Sequence, residues 1–491
     1  MNLGDLLSTS ASRVPGRTAV IYGNDRISYE QLDRETTSHA KWFLEQGCRP
    51  GDRVAILWPN SVEIVKLLFA CFKAGLIAVP IHVSMKVPEI AFVLDHSRAV
   101  MCMVHPNLVP DALEASRGSA SPRTVHSVLE PVADRQPPDL LVVKEDDPAM
   151  VLYTSGTTAR PKGVTHTHKT IQQIFSPRVT ATPEVVEVVL VITQLSYITA
   201  LCGSLLPAIA TGATTVLAPG FEAPLVLDLI ERFQCNFIAG LPSMMGHLVE
   251  EQRERPREVR SLRAALVGGD SMSPVTQKRF RSLFGIPLRE AYGMTEIGLL
   301  TANPKEATRP GSLGRAVAGV ELRIVDNQGR EVPDGQTGQI IARSPGCFVG
   351  YWDDPQATAE AIRDGWLYTG DLGHRDEEGY VWFDGREKEI IVRGGYNISP
   401  QEVEEAIYAH PSVREVAVVG QPAPVYGERV VAYVSLRDGR TADEEELREF
   451  ARARLADHKV PEEFIFLAAL PKGVTGKIQR RALKKVAATA A

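Results

Sequence analysis

From Ser61 to Leu76, "SVEIVKLLFACFKAGL", apolar side chains recur at helical spacing, and the run closes at Gly75, a residue suited to a helix C-cap. The next stretch, "IAVPI", is apolar without a break and predicts a short buried strand, and "VPEIAFVLDHS" predicts a second helix. The alternation returns in "ATTVLAPG", "APLVLDLIERFQ", "CNFIAGLP" and "RAALVGG". Buried strands alternating with helices predict parallel sheets covered on both faces.

After about Gly311 the texture changes. "VELRIVDNQGREV", "GQIIARS" and "GYVWFDGRE" are short segments broken by turn signals, which predict antiparallel hairpins. From Arg386 the pattern is compact and mixed, through "KEIIVRGG", "SPQEVEEAIYAH", "VREVAVVG", "ERVVAYVSL" and "EEELREFARARL". Ser399, with Pro400 at N1 and Glu402 at N3, predicts a capping box on the first of these helices. The expected fold is therefore α/β. Residues 1–386 form a large N-terminal domain of alternating strands and helices plus an antiparallel β region, and residues 387–491 form a small mobile α+β lid.

Composition narrows the class. The 491 residues suffice for roughly three domain-sized units, or for one large core with an appendage. With 44% hydrophobic and 23% charged residues, the chain is a soluble globular protein rather than a disordered one. A net charge of -6 removes any global basic field for nucleic acid or an anionic membrane. The basic "GKIQRRALKKV" is a local exception that reads as a solvated helix end. Six scattered cysteines without a C-x-x-C pair exclude metal-ligand spacing and a disulfide framework, which fits a reducing compartment. The N-terminus lacks a basic region followed by an apolar core, and the longest apolar run is interrupted by Lys73 and Gly75. These features predict a cytoplasmic protein without a membrane span.

Five stretches carry candidate chemistry. "LYTSGTTARPKGV", from Leu152 to Val164, packs Gly, Ser, Thr and two cations behind an apolar lead-in, as a loop around an oxyanion-rich ligand would. It is not a Walker A loop, because Lys162 is followed by Gly163. "AYGMTEIG" offers an aromatic face at Tyr292 for a base, a donor at Thr295 and a hard oxygen ligand at Glu296. "GWLYTGDLG" presents Asp371 in a turn, where one carboxylate can accept from both ribose hydroxyls. "DGREKEIIVRGGYN" supplies Arg386, Lys388 and the flexible pair Gly394–Gly395, and "PKGVTGKIQR" sets Lys477 after a Gly-rich turn. "VGGDSM" also resembles a phosphopantetheine attachment serine at Ser271, but it lies inside the alternating region rather than in a small helical carrier.

In this order the stretches resemble the adenylate-forming superfamily of acyl- and aryl-CoA synthetases, peptide-synthetase adenylation domains and beetle luciferase. The resemblance runs from "RISYEQLD" to "TGKIQR" and is closest to an acyl- or aryl-CoA synthetase. It implies an ATP- and Mg²⁺-dependent conversion of a carboxylic acid to an acyl-adenylate, then transfer to CoA or, alternatively, to a carrier protein. Thr154, Ser155, Gly156, Thr157, Thr158 and Lys162 then hold the triphosphate. Gly268, Gly269, Tyr292, Gly293, Met294 and Thr295 surround the nucleotide, and Glu296 serves Mg²⁺. Asp371 with Arg386 fixes the ribose, Lys388 is the hinge, and Gly394 and Gly395 line the pantetheine path. Lys477 bridges the attacking carboxylate and the α-phosphate. The catalytic set is Lys477, Glu296 and Thr154. The acyl pocket falls at Tyr197, Cys202, Gly240, Met244, Gly268 and Met294. These carry no cation for a dicarboxylate, and no Asp lies between Gln194 and Leu205 for an α-amino group. Ala159 stands where the family usually has Gly, and Gln194 where a Pro usually precedes the gate. A homodimer is left open.

Overall fold

The computed structural model describes residues 2–119, 121–122, 124–127, 142–154, 161–181, 187–270, 272–393, 396–423, 427–473, 477–480 and 482–484. The chain packs as two units, Met1–Glu321 with Arg343–Leu367, and Leu322–Ala342 with Tyr368–Ala491. This division differs from one at residue 386. Strand pairing puts Asp371 opposite Arg386, so the sheet containing both packs with the C-terminal residues.

In the first unit, uninterrupted apolar runs became buried strands, as their lack of a polar face requires. A nine-stranded sheet has a parallel centre, Leu288–Met294, Ala264–Gly268, Phe237–Gly240, Val188–Val191, Thr214–Leu217 and Thr18–Tyr22, with antiparallel edges. A seven-stranded sheet runs parallel through Pro148–Thr154, Ile77–Pro80, Arg53–Leu57, Met101–Val104 and Thr124–His126. Lys162–Thr167 and Gly350–Tyr351 close it antiparallel.

The two-residue period of a strand divides the core into layers. Val189, Val191 and Phe237 face a cluster shared with Val54, Ile56 and Met150 of the other sheet, and with the helices Tyr29–Glu45 and Val62–Ala74. Their neighbours Leu190, Ile192 and Ile238 face Val226, Ile230 and Leu248 on the far side, while Ala55, Leu57 and Val151 face Ile90 and Leu94. Both faces of each sheet are thus covered, as predicted. The helix ends where expected, with Gly75 at φ +66° as C-cap, and the helices Val87–Ser97 and Ala223–Phe233 also form.

In the second unit, Val381–Arg386 pairs antiparallel with Trp366–Arg375. Beyond it, Val413–Ala423 and Gly427–Leu436 make a long antiparallel pair, flanked by Ile391–Arg393 and Glu463–Phe466. Val416 and Val418 pack on Val403 and Ile407 of the helix Pro400–Tyr408, and Ala417 and Val419 on Leu470 and Leu483. That helix starts at Ser399 as predicted, but no side-chain cap forms, and the buried Ser399 hydroxyl has no partner. Glu402 instead pairs with Lys459 at 2.6 Å, so a tertiary ion pair outcompetes the local cap. Among the described residues, no helix is long and apolar enough to cross a membrane.

Candidate active site

Thr154 ends one strand of the seven-stranded sheet and Lys162 begins the next, directly opposite it in register. The loop between them therefore springs from a hairpin whose stems are pinned in the sheet. Its residues Ser155, Gly156, Thr157, Thr158 and Ala159 lie outside the described residues. The Lys162 ammonium stands 4.5 Å from the centroid of the Tyr351 ring, a cation–π distance. Tyr351 pairs with Val164 on the adjacent strand, and its hydroxyl donates to Glu296 Oε1 at 2.9 Å. One aromatic ring thus joins the lysine of the loop stem to the glutamate of a motif far away in sequence.

Glu296 occupies the turn between the antiparallel strands Leu288–Met294 and Gly298–Ala302 and is 8% exposed. The Phe348 amide donates to its carbonyl at 2.6 Å. His166 donates from Nε2 to the Thr295 carbonyl at 2.7 Å, which leaves Nδ1 to accept from the Thr170 hydroxyl at 3.0 Å. Complete burial holds the His166 ring at a pKa of about 4, so it is neutral and works as a fixed donor. Tyr351 stays protonated because burial and the Glu296 carboxylate both raise its pKa. The residues His166 and Tyr351 escaped the sequence reading. His166 could have been found by strand periodicity, since Lys162, Val164 and His166 share one face. Nothing near Tyr351 in sequence announces Glu296.

The glycines of these motifs are set by close backbone approach. A Cβ on Gly268 would lie 2.4 Å from the Ala291 carbonyl oxygen, and one on Gly293 would lie 2.1 Å from that of Gly298. Gly268 ends its strand opposite Ala291, so it and Gly269 lie next to the strand carrying Tyr292, Gly293 and Met294.

The acyl-pocket candidates are spread over two packing clusters. Tyr197 precedes the short helix Ile198–Ala200, and its ring lies 5.0 Å from that of His82, which burial holds neutral at a pKa of about 4. The buried Tyr197 hydroxyl has no partner. Cys202 sits in the π-helical turn Leu201–Leu205 and belongs to the inter-sheet cluster. Gly240 ends its strand, and a Cβ there would lie 2.9 Å from Ile192 and 3.4 Å from the Met244 sulfur. Met244 packs on the far-side cluster.

In the second unit, Asp371 and Arg386 are opposite each other in register, with Arg386 Nε donating to Asp371 Oδ1 at 3.2 Å. The sequence predicts a turn at Asp371, and the structure corrects this. Asp371 lies within the strand Trp366–Arg375, beside a register shift at Leu372/Gly373, and follows Gly370 at φ +75°. The positive φ makes Gly370 look like a turn residue in sequence, whereas pairing turns the segment into a bulged strand. Lys388 lies in an exposed turn just after Arg386. Gly394 and Gly395 lie outside the described residues, as does Ser271. Lys477 is held at a small hairpin: Lys472 bridges Ile478, and the Gly473 amide donates to the Lys477 carbonyl at 2.8 Å.

Among the described residues, no group of three or more His, Cys, Asp or Glu side chains could hold a metal unaided. Glu296 alone suits Mg²⁺, which uses one or two carboxylates and takes its remaining oxygens from phosphates and water.

Two family models match the chain: AMP-binding enzyme over residues 7–352 and AMP-binding enzyme C-terminal domain over residues 402–477. A feruloyl-CoA synthase of Amycolatopsis sp is 34% identical over 487 residues, 98% of each chain. The fatty acid–[acyl-carrier-protein] ligase ScoC of Streptomyces coeruleorubidus is 31% identical over 500 residues, 97% of this chain and 95% of that one. The crystal structure of the anthranilate CoA ligase AuaEII with anthranoyl-AMP superposes at a TM-score of 0.93 and 26% identity, covering 100% of this chain and 98% of that one.

Proposed function

The chain belongs to the AMP-binding enzyme family, and from that premise we propose how its residues divide the work of an acyl-CoA synthetase. The enzyme is an acid–thiol ligase. A carboxylate oxygen attacks the α-phosphorus of ATP, the bond to the β-phosphate oxygen breaks, and pyrophosphate leaves. The CoA thiolate then attacks the acyl carbonyl, and AMP leaves.

The observation that carries the division of roles is the Lys162–Tyr351–Glu296 assembly. Pyrophosphate departs with its charge, so the site needs cationic and metal-binding groups held at fixed separation before the reaction. Lys162 and the hydroxyl-rich loop from Thr154 hold the β- and γ-phosphates. Glu296 holds Mg²⁺, which supplies charge neutralisation at the phosphates. The Tyr351 hydroxyl occupies one lone pair of that carboxylate and fixes its orientation. Tyr292 faces adenine, Asp371 and Arg386 take the ribose, and Lys477 orients the attacking carboxylate. Lys388 is the pivot of residues 387–491. The division at 386/387 separates moving bodies, which need not coincide with packing units.

The substrate is a monocarboxylic acid with an apolar or aromatic acyl part, in keeping with Tyr197, Cys202, Gly240, Met244 and Met294. A second reading, transfer to a carrier protein, is favoured by the ScoC similarity alone. Pyrophosphate release over a panel of fatty, hydroxycinnamic and aminobenzoic acids, with and without CoA, tests both. Steady-state turnover requiring CoA and yielding the thioester is expected. Turnover that ignores CoA and needs an acyl carrier protein would replace the first reading with the second.

A further inference from the structure

Lys477 must place a charge at an α-phosphate to within about 0.5 Å, so the hairpin that carries it has to be held in place. Besides the Lys472–Ile478 bridge, that hairpin shows the Gly473 amide bond and a bond from the Gln479 amide to the Pro471 carbonyl at 2.8 Å. Leu470, Leu483 and Ile478 pack the flanks of this segment, and a guanidinium three residues past Lys477 adds an ionic anchor. Arg480 forks onto both oxygens of Glu404, at 2.9 and 2.8 Å, and Glu404 Oε1 also accepts the Val418 amide at 2.7 Å. Arg480 also reaches Glu389, from Nη1 to Oε2 at 3.5 Å.

Glu389 has a second cation. Its Oε1 lies 3.7 Å from Arg386 Nη1, and Arg386 uses Nε for Asp371. A continuous chain of alternating charge therefore runs Asp371, Arg386, Glu389, Arg480, Glu404, and its members Arg386 and Glu389 flank Lys388 in sequence. The members are only partly exposed, from 11% for Asp371 to 40% for Arg386. Such pairs are screened less than fully solvated ones. Without the Glu389 charge the two guanidiniums would lose the carboxylate they share.

We propose that Glu389 is a positioning residue for the adenylation step: it seats Arg480, and with it the hairpin that presents Lys477, against Arg386 on the other side of the pivot. The inference rests on the roles assigned above to Lys477 and Lys388. When residues 387–491 turn, Glu389, Arg480 and Glu404 travel together, and the Arg386–Glu389 contact is the link of this chain that parts. On this proposal the contact belongs to the orientation for adenylation, and thioester formation does without its charge.

The substitution Glu389→Gln keeps the shape and removes the charge. Partly exposed pairs are individually weak, so adenylation in single turnover should slow about 2–5-fold. Conversion of supplied acyl-AMP and CoA to thioester should stay within about twofold of wild type or rise. Glu389→Asp should restore part of the loss, and 1 M NaCl should shrink the wild-type to E389Q ratio. In an Arg480→Gln background, Glu389→Gln should add less than half its effect. Independently of activity, amide exchange at Gln479 should be several-fold faster in the full-length E389Q protein. Equal slowing of both half-reactions, additive effects with R480Q, or unchanged exchange at Gln479 would each overturn the inference. If wild type activates none of the acids while exchange at Gln479 responds, the functional reading fails and the positioning of the hairpin stands.

Discussion

The two groups of residues proposed for the chemistry, one in each unit, are held by different forces. Around Glu296, positions are set by strand register and burial: Thr154 opposite Lys162, Tyr351 opposite Val164, and neutral His166 fixed on the Thr295 carbonyl. Around Lys477, the packing of Leu470 and Leu483 is joined by ion pairs between side chains that remain partly wet, Arg386 at 40% and Glu389 at 25% exposure. A phosphate cradle must be preorganised and still, which close packing provides. A lysine in the role proposed for Lys477, serving one half-reaction and then leaving, needs contacts that form and part cheaply, which partly hydrated ion pairs provide.

The comparison is broken most severely at Lys477. Lys477→Ala should slow adenylation about 10²–10³-fold, the usual cost of losing one preorganised donor, while supplied acyl-AMP still reacts with CoA at near the wild-type rate. Single-turnover measurement of each half-reaction decides this, and normal adenylation would remove Lys477 from the site. Lys388→Pro fixes φ near −65° and stiffens the pivot, so thioester formation should fall by more than about tenfold while acyl-AMP still forms. Equal loss of both steps would make Lys388 something other than a hinge.

On the buried side, Tyr351→Phe removes a single hydrogen bond to a carboxylate, worth about 1.5 kcal/mol or more, and should slow adenylation about tenfold. The ring and its contact with Lys162 remain, so the apparent ATP affinity should change less than the rate. A larger effect on affinity than on rate would mean that Tyr351 serves ATP binding rather than the orientation of Glu296.

The smallest effects sharpen the contrast without mutation. Burial lowers His39, His82, His166 and His168, all in the first unit, to pKa values of about 4. Unfolding restores them to about 6.5. The unfolded chain therefore binds more protons between these values, and stability falls as pH drops from about 6.5 toward 4. Amide exchange of the full chain at pH 5.5 should loosen the first unit most. Raising NaCl from 0.05 to 0.5 M should instead loosen the hairpin before Arg480, because screening weakens its ion pairs. Identical responses in both regions would dissolve the distinction.

Much of this was legible in the chain. Strand and helix runs from Ser61 to Ser97, and again from Ala213 to Gly268, appear where periodicity placed them. Ser399 marks a helix start, but its capping box is lost to the Glu402–Lys459 pair. Asp371 looked like a turn residue because Gly370 precedes it, and pairing with Arg386 made it part of a strand.

The part that the sequence alone determined was local: which runs are apolar on both faces, where glycine must stand, and which residue types could meet a nucleotide. Side-chain period and chemistry within a few residues are enough to set these. The part that only the tertiary structure decided was adjacency across long separations, Tyr351 on Glu296 and Glu389 between Arg386 and Arg480. Such contacts depend on which strands become neighbours and in which register, and a one-residue slip would turn the same side chains to the opposite face.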